Sequence, residues 1–188
     1  MKVTELALPG VKLIEPTYFE DFRGYYCETY SSRTLHEYGI DDVFVQDNHF
    51  FCLTKGTIRG IHFQNDPYAQ TKLIRCTRGS LFDVAVDLRK GSPTYKKWVS
   101  VILSAENRKQ LYIPRGFGHI CMSLVDNTEG QYKVDALYAP AYDRAIAWND
   151  PEIAIEWPPI APIVSPKDTV AKRLAESDVN FEYTEARQ

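Results

Sequence analysis

Two short segments of this 188-residue chain each carry one histidine in a setting that could do chemistry: IRGIHFQ over 58–64 holds His62, and IPRGFGHICMS over 113–123 holds His119. An imidazole titrates close to neutral pH, so a positioned histidine serves as a general acid or base, or as a metal ligand. A metal site on the first segment would want a second histidine two places on, because alternate residues of a strand share a face. Gln64 stands there instead. The residues that follow, NDPYAQTK, offer no glutamate to complete a set of imidazole and carboxylate ligands, and His119 alone is not such a set. No zinc or iron site is expected, which leaves acid/base work.

Side chains of this kind need a rigid frame, and the pattern around them is that of strands. Short runs rich in Val, Ile, Tyr and Phe recur between turn signals, and long segments of helical period are nearly absent. Strands are predicted at 43–53, 57–64, 71–76, 80–88, 96–103, 109–114, 118–125 and 131–138, an even spacing that suits a sandwich or barrel. In FDVAVDLR, Asp83, Ala85 and Asp87 alternate with Phe82, Val84, Val86 and Leu88, so one face of that strand is apolar core. Two short helices are predicted, at Ser32–Tyr38 with a serine cap and at Lys167–Glu176 after Ser165-Pro166. The Pro-rich stretch 157–166 should run extended and carry the last helix back to the strands. The tail FEYTEARQ is expected to be disordered.

Composition excludes several classes of function. The length and the 44% hydrophobic content suit one domain over 1–188 with a well-filled core. A net charge of -3 with scattered Lys and Arg argues against nucleic acid as a partner. No window is apolar for the roughly 18 residues of a membrane span, and MKVTELALPG does not read as a signal peptide, so a cytoplasmic protein is expected. Cys27, Cys52, Cys76 and Cys121 are widely spaced with no CxxC, the pattern of reduced thiols packed as small apolar residues.

Gly56 lies six residues before His62, and Pro114, Gly116 and His119 follow in the second segment, an arrangement that resembles the two motifs of a cupin with its metal set dismantled. The fold class implied is mainly β, a cupin-type jelly-roll β-barrel with a few short helices. The strings FEDFRGYYCE, FVQDNH, IRGIHFQ, AQTKLIR, FDVAVDLRKGSPTY, LSAENRKQLYIPRGFGH, Tyr132-Lys133, AWNDPEIAIEWP and SPKD go further. Their order and spacing, from about Pro9 to Asp168, resemble the dTDP-4-dehydrorhamnose 3,5-epimerase family.

The resemblance implies an isomerase, without cofactor or metal, acting on a nucleotide diphosphate sugar whose C4 ketone acidifies the protons at C3 and C5. On the family pattern His62 is the base, Asp168 orients it with Asp83 as the fallback partner, Tyr132 is the proton donor on the other face, and Lys72 faces the developing enolate oxygen. Arg59 and His119 would contact the pyrophosphate or sugar, with Gly60 a bulge that lets Arg59 turn inward. Arg23, Glu28, Gln46, Asp47, Asn48, Tyr138, Asp143 and Lys167 align with substrate-binding positions. The family also implies a homodimer, in which N-terminal strands within residues 1–30 complete the partner's nucleotide site and Arg23 and Glu28 act across the interface. This chain departs from the pattern at Thr71, Ile120, Cys121, Gly130, Gln131, Ala136, Leu137 and Asp143, changes that reshape walls and spare the acid/base pair. An epimerase acting only at C3 or only at C5, or on a CDP- or GDP-linked sugar, and a non-catalytic sugar-nucleotide-binding cupin, are the alternatives.

Overall fold

β-Branched and aromatic side chains pack well on a pleated surface, and the runs rich in them become strands. The computed structural model describes residues 1–184. In chain order these form β1 (Lys2–Glu5), β2 (Lys12–Glu15), β3 (Tyr18–Asp21), β4 (Gly24–Cys27), α1 (Ser32–His36), β5 (Gln46–Cys52), β6 (Thr57–Gln64), β7 (Lys72–Arg78) and β8 (Ser80–Asp87). They continue with β9 (Trp98–Ser104), β10 (Gln110–Ile113), β11 (Phe117–Ser123), β12 (Thr128–Val134), β13 (Asp143–Ala145), β14 (Ile163–Val164), α2 (Pro166–Thr169) and a 3₁₀ turn at Leu174–Glu176. No helix among the described residues is long and apolar enough to cross a membrane.

Two six-stranded sheets result. One runs β1-β2-β10-β7-β12-β5; the other runs β13-β6-β11-β8-β9, with β14 parallel to β6. Ile74, Cys76 and Leu111 of the first meet Leu81, Ala85, Leu103 and Cys121 of the second, so the sheets pack face to face without hydrogen-bonding into a closed barrel. The hairpin β3–β4 pairs only with itself.

The alternation in FDVAVDLR has two outcomes. Val84, Val86 and Leu88 point outward with Ile58, Ile61, Phe63, Ile120 and Met122, under a cover of Ile146, Ile153, Leu174, Val179 and Phe181 from the C-terminal segment. Each aliphatic side chain buried so completely contributes about 1.5–3 kcal/mol. The opposite face, with Asp83 and Ala85, turns to the space between the sheets. A third cluster of Ile14, Leu35, Ile40, Leu73 and Tyr112 fixes α1 against the first sheet. Ser31, whose hydroxyl accepts from the Thr34 amide, caps that helix.

Three expectations change. Strand β12 spans Thr128–Val134 rather than 131–138, since its register with β5 and β7 starts at the turn after Val125. The single helix predicted at Lys167–Glu176 is broken in two. Between the pieces, Lys172 bridges to Ile146 and its carbonyl accepts from the Ala147 amide, while the Leu174 amide donates to Asp150 Oδ2 at 2.7 Å. Tertiary hydrogen bonds here outweigh local helix propensity. The tail is ordered at its start: Phe181 is buried, its ring centroid 5.6 Å from that of Phe63, and Lys90 donates its amide to the Phe181 carbonyl and accepts from the Tyr183 amide. Residues 185–188 of the predicted disordered tail lie outside the described residues.

The Pro-rich stretch does run extended, and one glycine lets it reach the sheet, while a second lets β11 pack close against β6. At Gly56 (φ +85°) a Cβ would stand 2.2 Å from the Ala161 carbonyl oxygen, so only glycine admits the segment so close. At Gly60 (φ +127°) a Cβ would meet the His119 carbonyl oxygen at 2.4 Å.

Candidate active site

The pairing of β6 with β11 shows what Gly60 does. His119 pairs with His62 and Cys121 with Arg59, so three steps on β6 oppose two on β11, a bulge at Gly60 and Ile61. Residues three apart on a regular strand face opposite sides. With the bulge, Arg59 and His62 line one cavity, together with Ser165, Lys167 and Asp168 from the returning C-terminal segment.

His62 is the centre of that cavity. Its Nε2 lies 2.6 Å from Asp168 Oδ1, and its side chain keeps 32% exposure against 4% for the aspartate. Ser165 caps the first turn of α2 by accepting from the Asp168 amide at 3.1 Å, which fixes the carboxylate's position. Burial pushes the Asp168 carboxyl up, but the bond from His62, the Ser165 hydroxyl and the Gly60 backbone together hold it below the ordinary carboxylate value. An ionised Asp168 accepts, so Nε2 carries the proton and the neutral ring has its lone pair on Nδ1. Asp168, not the fallback Asp83, is therefore the partner of His62.

Lys72 and Tyr132 come in from the facing sheet. Lys72 Nζ donates to the His62 carbonyl at 3.3 Å and sits 5.9 Å from the centroid of the Tyr132 ring. Burial pushes its ammonium down to about 8, against the opposing pull of Asp143, Asp83 and Cys121. Burial also raises Tyr132, with Cys121 and Asp143 adding and Arg59 opposing, so the phenol keeps its proton at neutral pH. Arg59 lies 5.3 Å over the Phe50 ring and donates to the Phe51 carbonyl at 2.9 Å. Phe50 in turn stands 6.5 Å from Tyr132 and fills the space over Gly130, where a Cβ would come within 2.3 Å of the ring. Sequence reasoning missed this role of Phe50; its signal was the glycine opposite it on β12.

His119 is paired separately. Its Nε2 lies 3.0 and 3.1 Å from the two oxygens of Asp83 on β8, and both residues are buried. Cys121, two places on and directly opposite Asp83, brings a sulfur to the same spot, so that donor atoms of Asp83, His119 and Cys121 all lie within 4.8 Å of one another. This cluster was not foreseen, because it joins two strands. The metal set of a cupin does not fit the residues present: at Gln64 the amide donates to the Tyr68 and Leu137 carbonyls at 2.7 and 3.3 Å and accepts from the Ala139 amide at 2.7 Å, which ties it to the backbone of its neighbours in place of an imidazole ligand.

The rim gathers several more of the expected residues. Asp143 accepts from Lys167 at 2.6 Å and from the Tyr138 hydroxyl at 3.2 Å, while Gln46 accepts from the Tyr138 amide and donates to Asn48. Asp47, by contrast, pairs with Lys133 at 2.7 Å on the face of the first sheet away from Asn48 and Tyr132. Arg23 is held by Asp21 in the β3–β4 turn, and Glu28 accepts from Thr34; neither reaches the His62 cavity within the chain. Among the departures, Ile120 packs outward in the core, which confines the change in the wall on β11 to Cys121.

Known proteins share the sequence pattern and the fold of this chain. The family model described as dTDP-4-dehydrorhamnose 3,5-epimerase matches residues 5–176. A dTDP-4-dehydrorhamnose 3,5-epimerase of Sinorhizobium fredii is 47% identical over 184 residues, covering 97% of this chain and 94% of that protein. The crystal structure of dTDP-4-dehydrorhamnose 3,5-epimerase from Bacillus anthracis with TDP and PPi bound superposes with a TM-score of 0.89 at 47% identity, over 92% of this chain and 98% of that one. For dTDP-6-deoxy-D-glucose-3,5-epimerase from Legionella pneumophila, in complex with dTDP-4-keto-L-rhamnose, the TM-score is 0.93 at 39% identity, over 97% and 98% of the two chains. The mainly β, cupin-type architecture expected from the sequence is the one these neighbours share.

Proposed function

The chain belongs to the dTDP-4-dehydrorhamnose 3,5-epimerase family, and on that premise we propose how its residues carry out the reaction of that isomerase class. The reaction is inversion at C3 and C5 of dTDP-4-dehydro-6-deoxy-D-glucose to give dTDP-4-dehydro-L-rhamnose. The observation that carries the assignment of roles is a chain of contacts across two facing sheets: His62 paired with Asp168, Lys72 donating to the His62 carbonyl, and the Tyr132 ring 5.9 Å from the Lys72 ammonium.

Nδ1 of His62 takes the proton from the carbon next to the C4 ketone, and the electron pair moves onto the ketone oxygen as an enolate. Asp168 stabilises the imidazolium that forms. The Lys72 ammonium, held in a dry cavity, faces the enolate oxygen, where charge develops only as the proton leaves. The Tyr132 hydroxyl delivers a proton to the opposite face, which inverts the centre; solvent then restores tyrosine and histidine. Arg59 and His119 hold the diphosphate and sugar, with Gln46, Asn48, Tyr138, Asp143 and Lys167 around the rim.

The active form in this reading is a homodimer. Phe19, Phe22, Tyr25 and Tyr26 on the unpartnered hairpin β3–β4 are 65%, 98%, 56% and 73% exposed, an apolar surface that favours burial against a second copy. That docking would bring Arg23 and Glu28 to the partner's nucleotide. We place the enzyme in the cytoplasm, in keeping with four free cysteines.

Proton NMR of the products formed from dTDP-4-dehydro-6-deoxyglucose tests the reading. The rhamno configuration is expected. Inversion at one carbon only would make the chain a mono-epimerase, and unchanged substrate would remove the assignment. Sedimentation should give a dimer, and deletion of the β3–β4 hairpin should weaken nucleotide binding.

A further inference from the structure

The reaction leaves one buried group without a use of its own: the sulfur of Cys121, beside the His119–Asp83 pair. His119 and Cys121 lie two apart on β11 and so share its inward face, and Asp83 on β8 is the direct cross-strand partner of Cys121. One donor atom from each lies within 4.8 Å of the others, with relative exposures of 0%, 7% and 1% for Asp83, His119 and Cys121. Two of the three donors already stand 3.0 Å apart, Nε2 of His119 and Oδ1 of Asp83.

We infer that Asp83, His119 and Cys121 form a binding site for a thiophilic divalent ion of the zinc class, set in the wall of the substrate cavity. One nitrogen, one oxygen and one sulfur are the donor types such an ion prefers, and three protein ligands leave the fourth tetrahedral position open to the cavity. Carboxylate and thiolate together neutralise the dication. Lys72 and Arg59 also face this region and oppose a cation there, so each anionic ligand adds to the affinity. Binding displaces a proton from the Cys121 thiol and frees Nε2 of His119 to bind the ion. The ion then occupies the residue that our reading gives to the substrate, so zinc acts as a reversible inhibitor. The inhibition rests on that reading; the binding site does not.

Cobalt(II) provides a probe independent of turnover, because a thiolate ligand gives a charge-transfer absorption in the near ultraviolet. Titration of the intact protein should develop this band to one equivalent, zinc should displace it, and a chelator should abolish it. Cys121→Ser should lose the band. Asp83→Asn should keep it with affinity reduced by at least the roughly 10–100-fold that even outer-shell partners are worth. Turnover of Cys121→Ser, measured against that variant's own rate in chelator-treated buffer, should resist zinc; if that variant does not fold, Cys121→Ala serves the same comparison. Absence of the band in the unaltered protein, its persistence without Cys121, or indifference to Asp83→Asn would each overturn the site. Failure of the epimerase assay with the band intact would remove the inhibition and leave the site.

Discussion

Two histidines face each other across β6 and β11, each bonded through Nε2 to an aspartate, yet the pairs are built differently. Asp83 lies on the strand next to His119, wholly buried, and the imidazole it holds has 9% side-chain exposure. Asp168 reaches His62 from 106 residues further along the chain, on a four-residue helix delivered by the Pro-rich segment, and that imidazole is 32% exposed. A pair locked inside one sheet suits a fixed donor. A pair assembled at the cavity mouth, with one ring nitrogen left for a substrate proton, suits a base.

The difference predicts a graded set of losses. His62→Ala removes the base and should lower kcat by roughly 10³–10⁴-fold, near the upper end of what general base catalysis supplies, with dTDP affinity nearly unchanged. Lys72→Met should cost about 10²–10³-fold in kcat, the loss typical of removing one preorganised group at a developing oxyanion. With the ammonium pushed down to about 8, its charged form dominates below that pH and disappears above it, so the activity of the unaltered enzyme should fall as pH rises through about 8. The Lys72→Met profile should lack that limb.

Asp168→Asn should lower kcat by about a hundredfold, since the amide cannot stabilise the imidazolium. Asp83→Asn, at the other pair, should instead raise KM about tenfold with kcat largely kept, because the oriented His119 contributes to binding more than to the transition state. Equal kcat losses in the two aspartate variants would erase the contrast. The smallest effect is on stability. Asp168 has a folded value below its unfolded one, so its contribution is present above the unfolded carboxylate range and is lost as pH falls through the folded value. Thermal melts of Asp168→Asn should show a shallower decline on the acid side than those of the unaltered protein.

Much of this was legible in the residues. The strand over 57–64 and the serine-capped first helix were read from local pattern, and the bulge at Gly60 from a glycine beside an arginine that had to turn inward. The resemblance gave Asp168 as the partner of His62 with Asp83 as the fallback, and the path of the Pro-rich segment over Gly56 is what brings Asp168 to the imidazole. The break of the last helix was invisible because it depends on Asp150 and Ile146, remote residues that capture the backbone. Asp47 was grouped with Gln46 and Asn48 by the family resemblance, and alternation along β5 sends it to the face opposite theirs.

The most direct test of His62 as the base is proton NMR in D2O with dTDP-4-dehydro-6-deoxyglucose, following deuterium at C3 and C5 in the unaltered enzyme and in His62→Ala. The account predicts exchange at both carbons in the first and at neither in the second, with dTDP still bound by the variant. Exchange persisting in His62→Ala at the unaltered rate would contradict it.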